Sequence, residues 1–123
     1  MSVIVRDDGF HPEDWHGAVT EIAPETDPAA LPELTRDAGL VRVAFPAFSD
    51  GRGFTLARRL RAAGYTGRLR AAGHVLADQY AMARRSGFDE VEIAPELAAR
   101  QPEDQWRARA DWRAHDYRSR LRG

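Results

Sequence analysis

Ser49, Asp50, Arg52, Gly53 and His74 are the residues whose types and spacing are best suited to chemistry, and the chemistry they suit is the capture of an oxyanion. A guanidinium presents a planar pair of donors that matches phosphate or sulfate. Free backbone amides at the start of a helix attract the same ions. The loop Ser49-Asp50-Gly51-Arg52-Gly53 leads into a predicted helix, and His74 follows the next predicted strand. These residues predict a small oxyanion or phosphate site, with Asp78, Gln79 and Glu96 as secondary members of the same edge. A structural alternative stands beside this reading: Ser49 and Asp50 cap the helix, and the glycines permit the turn. A helix N-terminus disfavours protonation of His74, which would leave it neutral as a base or donor. The alternative for His74 is an imidazole satisfied by backbone groups. For Asp78 and Gln79 it is the ordinary polarity of a helix start.

Those residues need a scaffold that gathers them. Leu40-Val41-Arg42-Val43-Ala44-Phe45 is apolar and β-branched and stops at Pro46, as a strand does. Phe54 to Ala63 carries Leu56, Leu60 and Ala63 on one face of an amphipathic helix. A short strand over Arg68–Ala71 follows, then a helix with Leu76, Tyr80 and Ala83 as its stripe, then the strand Glu90–Ile93. Both helices end alike, Ala-Arg-Arg and then Gly64-Tyr65 or Gly87-Phe88. The fold class predicted is α/β: a small parallel βαβαβ sheet with flanking helices and a C-terminal amphipathic helix. In such a sheet ligands bind outside the carboxyl ends of the strands. The loops 49–53, 72–74 and 94–96 share that edge.

A chain of 123 residues predicts a single domain, 1–123. Residues 1–38 form an irregular N-terminal arm, 39–94 the core and 95–123 a C-terminal helical segment. Within the arm, Val3-Ile4-Val5 suggests a short strand ended by Asp7-Asp8-Gly9, residues 10–30 a loop, and 31–38 a short helix stopped by Gly39. Beyond Pro102, Trp106, Ala110, Tyr117 and Leu121 share a stripe that lies on the sheet or on a second subunit, and in the second case the chain forms a homodimer through this helix.

Composition narrows the function classes. The net charge is −1, and all 18 basic residues are Arg, so no global field favours nucleic acid or an anionic membrane. A GC-rich genome accounts for the absence of Lys, and repeated anion recognition is the functional alternative. Without Lys there is no Schiff-base chemistry by that residue. Without Cys there are no disulfides, thiol nucleophiles or Cys-held clusters. Gly51-x-Gly53 lacks the third small residue of a dinucleotide fingerprint, since Leu56 stands there, and no acidic partner follows. His11-Pro12-Glu13-Asp14-Trp15-His16 has no standard ligand spacing and predicts a surface loop, so no metal is expected. No nucleophile elbow surrounds Ser49. The basic stretch Arg118–Arg122 predicts a solvated face. No signal peptide or membrane span is expected, which predicts a cytoplasmic protein.

The stretch Phe45-Pro46-Ala47-Phe48-Ser49-Asp50-Gly51-Arg52-Gly53-Phe54-Thr55-Leu56-Ala57-Arg58 resembles the signature of a bacterial family, domain-of-unknown-function family 934. So do Gly67–Gly73, Leu76-Ala77-Asp78-Gln79 and Arg84–Asp89. The resemblance covers about residues 38 to 93. It implies a role in sulfite reduction, because the family's genes lie beside assimilatory sulfite reductase and its members are labelled candidate oxidoreductases. The family has no established catalytic residue, so none is carried over. Two functions follow. One is an accessory protein that binds the reductase or presents an oxyanion, with no covalently bound cofactor. The other is an oxidoreductase-type enzyme that borrows a flavin or a sulfur-nucleotide in the strand-end cleft, using His74, Asp50 and Arg52.

Overall fold

The computed structural model describes residues 2–112. The α/β class holds, but the sheet is wider than the small parallel one expected. It has six strands in the order β2-β1-β6-β5-β4-β3: β1 Val3–Arg6, β2 Gly9–His11, β3 Val19–Ile22, β4 Leu40–Phe45, β5 Arg68–Gly73 and β6 Glu90–Ile93. Strands β3 to β6 run parallel, whereas β1 pairs antiparallel with both β2 and β6. The sheet is therefore mixed.

The extra strands come from the N-terminal arm, which is less irregular than expected. The turn at Asp7-Asp8 folds β2 back on β1, and Gly9 takes the positive φ of 125° that this hairpin needs. Inside the expected 10–30 loop, β3 pairs with β4 from Val19↔Leu40 to Ile22↔Val43. The helix expected over 31–38 is one turn, α1 Leu31–Leu34, preceded by a 3-10 turn at Pro28–Ala30. Its C-cap is Thr35, whose hydroxyl donates to the Leu31 carbonyl, so Gly39 does not terminate it.

Alternation along the strands sorts their side chains to two faces. Val5, Ile22, Val41, Val43, Phe45, Leu69, Ala71, Val91 and Ile93 form one core with the helices. Helix α2, Arg52–Ala62, contributes Phe54, Leu56, Ala57 and Leu60, and α3, Tyr80–Ser86, contributes Tyr80 and Ala83. Both helices end as their sequences predict. Gly64 and Gly87 adopt positive φ, and the amides of Tyr65 and Phe88 return to the carbonyls of Leu60 and Ala83.

The other sheet face carries charge. Register aligns Arg42 with Arg70 and with Glu21, and Arg70 with Glu90. The Arg70 side chain is 1% exposed and donates to Glu90 at 2.6 Å, Glu92 at 2.9 Å and both oxygens of Glu13 at 2.6 and 2.7 Å. Arg68 and Arg6 each bridge Asp14 and Glu90. Thus the segment read from sequence as a surface loop crosses this face, and Glu13 and Asp14 fasten it there. Trp15 lies under the Arg68 guanidinium, 5.8 Å from ring centre to charge.

The described part of the expected C-terminal helix is two short helices, α4 Pro95–Arg100 and α5 Glu103–Arg107. Trp106 is fully buried against Tyr80, with ring centres 6.1 Å apart, so this side chain belongs to the core. Tyr117, Leu121 and the basic stretch 118–122 lie outside the described residues.

Candidate functional site

Parallel pairing of β4, β5 and β6 places Phe45, Gly73 and Ile93 at one edge, and the loops that follow them meet there. The β4–β5 ladder ends at Phe45↔Gly73. Gly73 has φ 121°, and a Cβ on it would lie 2.5 Å from the Phe45 carbonyl oxygen. That oxygen accepts the His74 amide at 2.8 Å. Only a glycine fits this close approach without displacing the strand end, and the approach is what sets His74 at the edge. The imidazole then lies edge-on to Phe48, with ring centres 5.1 Å apart.

The first predicted group closes on itself. Arg52 donates to both oxygens of Asp50, at 3.0 and 2.7 Å, and its amide also donates to Asp50 at 3.1 Å. These hydrogen bonds hold the Asp50 carboxyl below its ordinary range. Asp50 thus satisfies an amide at the start of α2 and occupies the guanidinium as well. Ser49 is exposed. Gly53 packs under Phe45, where a Cβ would meet the ring at 2.5 Å, so its smallness serves helix-to-strand packing.

The secondary candidates divide. Gln79 accepts the Leu76 amide at 2.8 Å and donates to the Phe48 carbonyl at 3.0 Å, which ties the 46–51 loop to the start of the next helical segment. Asp78 points to a different hollow and accepts from Arg109 at 2.6 Å. Glu96 stays at the edge.

A hollow of about 280 Å³ opens there, lined by Phe48, Gly73, His74, Ala94, Glu96, Leu97 and Arg100. Phe48 is 40% exposed and supplies an apolar wall with Leu97. Larger hollows exist elsewhere, one of about 510 Å³ beside Arg58, Arg61 and Arg85. The strand-end hollow is distinguished by what lines it: an imidazole, a carboxylate and a guanidinium beside apolar surface. Neither Glu96 nor Arg100 has an ion-pair partner among the described residues. His74 and Glu96 were visible in sequence as members of this edge, while Ser49, Asp50 and Arg52 do not line the hollow. Arg100, Phe48 and Leu97 line the hollow as well and were not singled out in the sequence. The four-residue spacing of Glu96 and Arg100 was the available signal.

Among the described residues no group of three His, Asp or Glu is arranged to hold a metal ion. None of the described helices is long and apolar enough to cross a membrane. The family described as a bacterial protein of unknown function (DUF934) matches residues 19–122. No curated protein and no solved structure matches the chain.

Proposed function

The chain belongs to the bacterial family of unknown function DUF934, and from that premise we propose that it is a cytoplasmic accessory protein of assimilatory sulfite reduction that holds a small oxyanion at its strand-end hollow. The observation that carries the binding half is the Arg100 guanidinium, without an ion-pair partner among the described residues, lining with His74 a hollow at the carboxyl edge of parallel strands. Arg100 has donors to offer, whereas Arg52 spends two of its own on Asp50. The sulfite half rests on the Phe48-Ser49-Asp50-Gly51-Arg52-Gly53 resemblance and its implied genetic setting. Sulfite and sulfate are oxyanions that suit a guanidinium.

The test is a thermal-shift screen against sulfite, sulfate, phosphate, flavins, nicotinamide nucleotides and adenylyl sulfates. A ligand at about 100 times its dissociation constant adds about 2.7 kcal/mol, a readable shift for a domain this size. The expected result is stabilisation by sulfite or sulfate that disappears in Arg100→Gln and persists in Arg52→Ala. A shift with flavin or adenylyl sulfate instead favours the borrowed-cofactor enzyme. Silence across the panel, with stable co-purification of sulfite reductase, moves the function to protein binding.

A further inference from the structure

We infer that the strand-end hollow takes a small zwitterion, whose anionic group sits at Arg100 and whose ammonium sits at Glu96; this rests on the reading of that hollow as an anion site and names its ligand class. Glu96 and Arg100 stand four residues apart on α4, where side chains share a face with Cβ atoms about 5–6 Å apart. Glu preceding Arg at this spacing is the favourable order for an internal ion pair. No such pair forms: the two charges both line the hollow and neither has an ion-pair partner among the described residues. A ligand therefore meets one group of each sign without first breaking a bridge.

The carboxylate decides the class. A bare oxyanion binds through Arg100 but gains nothing from Glu96, whose charge weakens its hold about fivefold. A molecule with an anionic group and an ammonium two or three bonds apart satisfies both. The rest of the lining includes the apolar side chains of Phe48, Leu97 and Ala94. A short aliphatic side chain fits there, so the best match is a small aliphatic amino acid.

Calorimetric titration of the full chain with norvaline, pentanoate, butylamine and sulfate separates the ideas, because pentanoate lacks the ammonium and butylamine lacks the carboxylate. Norvaline is expected to bind at least about tenfold tighter than either. Glu96→Gln removes that preference and tightens sulfate about fivefold, the size expected for one nearby charge. Arg100→Gln loses norvaline and sulfate alike. Both side chains are exposed, and circular dichroism checks that the variants fold. If wild type binds sulfate through Arg100 but norvaline no better than pentanoate, the zwitterion assignment is overturned while the anion site stands. If nothing binds, both fall.

Discussion

At the scale of single residues, Arg70 matters most. Burial alone pulls its guanidinium down, and the hydrogen bonds to Glu13 and Glu90 more than offset that, so it is held above its ordinary value. Removing one member of a buried charge group leaves the others unpaired, which costs about 3–5 kcal/mol. Arg70→Ala is expected to lose about 3 kcal/mol in denaturant unfolding, the lower end of that range, because Glu90 keeps Arg6 and Arg68 and Glu92 keeps Arg42. The same contacts set a pH response. The Arg70 hydrogen bonds hold Glu13 at about 2 against an ordinary 4.5, and those from Arg6 hold Asp14 at about 2 against 3.8. Both carboxyls are depressed in the fold, so their contribution is complete above about pH 4.5 and fades as pH falls towards 2. Melting temperature measured from pH 6 to pH 2 at low salt is expected to drop across that window. Glu13→Gln should start lower and drop less, and an unchanged slope in that variant would remove Glu13 from the account.

At the scale of elements, the two helix stops allow a controlled comparison. Gly64 and Gly87 do the same job at the ends of α2 and α3, with φ 100° and 115°. Around Gly64 there is open space, so Gly64→Ala meets only backbone strain of about 1–2 kcal/mol. A Cβ on Gly87 would sit 2.6 Å from Cγ of Arg61. That side chain is fixed by bonds to the carbonyls of Gly87, Tyr65 and Gly67 and to Asp89, all between 2.9 and 3.0 Å. Moving it gives up several of these, so Gly87→Ala is expected to cost about 2–4 kcal/mol in equilibrium unfolding. Equal losses in the two variants would mean that Arg61 adjusts freely. The stops were legible because a glycine followed by an aromatic is a local signal, and β4, α2 and β6 were legible because their periodicity is local too. What escaped is long-range. Strand β1 was legible from Val3-Ile4-Val5 and the Asp7-Asp8-Gly9 turn, but β2 and β3 lie in a stretch broken by Pro and acidic residues, and only their pairing with β1 and β4 defines them. The site divided in the same way. The three loops at one edge follow from the strand order and the Glu96–Arg100 spacing hints at a shared face, but the closure of Arg52 on Asp50 is side-chain geometry that spacing does not record.

At the scale of the whole molecule, the sheet has helices on one face and an ion-pair lattice on the other, and the N-terminal 18 residues finish both. Strand β1 covers the edge of β6 and brings Ile4 and Val5, fully buried and each worth about 1.5–3 kcal/mol. Asp7 accepts from Tyr80 and Arg84, and Glu13 and Asp14 supply carboxylates to Arg70 and Arg68. The family match begins at residue 19, after all of these groups. If the matched segment were the folding unit, a chain beginning at residue 19 would melt as the full chain does. The physical inventory argues otherwise. Several kcal/mol of burial are lost, together with the Glu13 carboxylate of Arg70 and the Asp14 carboxylate of Arg68, from a total stability that is about 5–15 kcal/mol for a domain. The strand β6, with all four residues buried, also becomes an unprotected edge open to pairing with a second copy. Deletion of residues 1–18 is thus expected to lower the melting temperature by more than about 10 °C, or abolish the transition, and to raise the solution mass above that of a monomer. A monomeric deletion variant with an unchanged, cooperative melt would make the hairpin and its charged segment an appendage, and would mean that Glu90 and Glu92 alone suffice for Arg70.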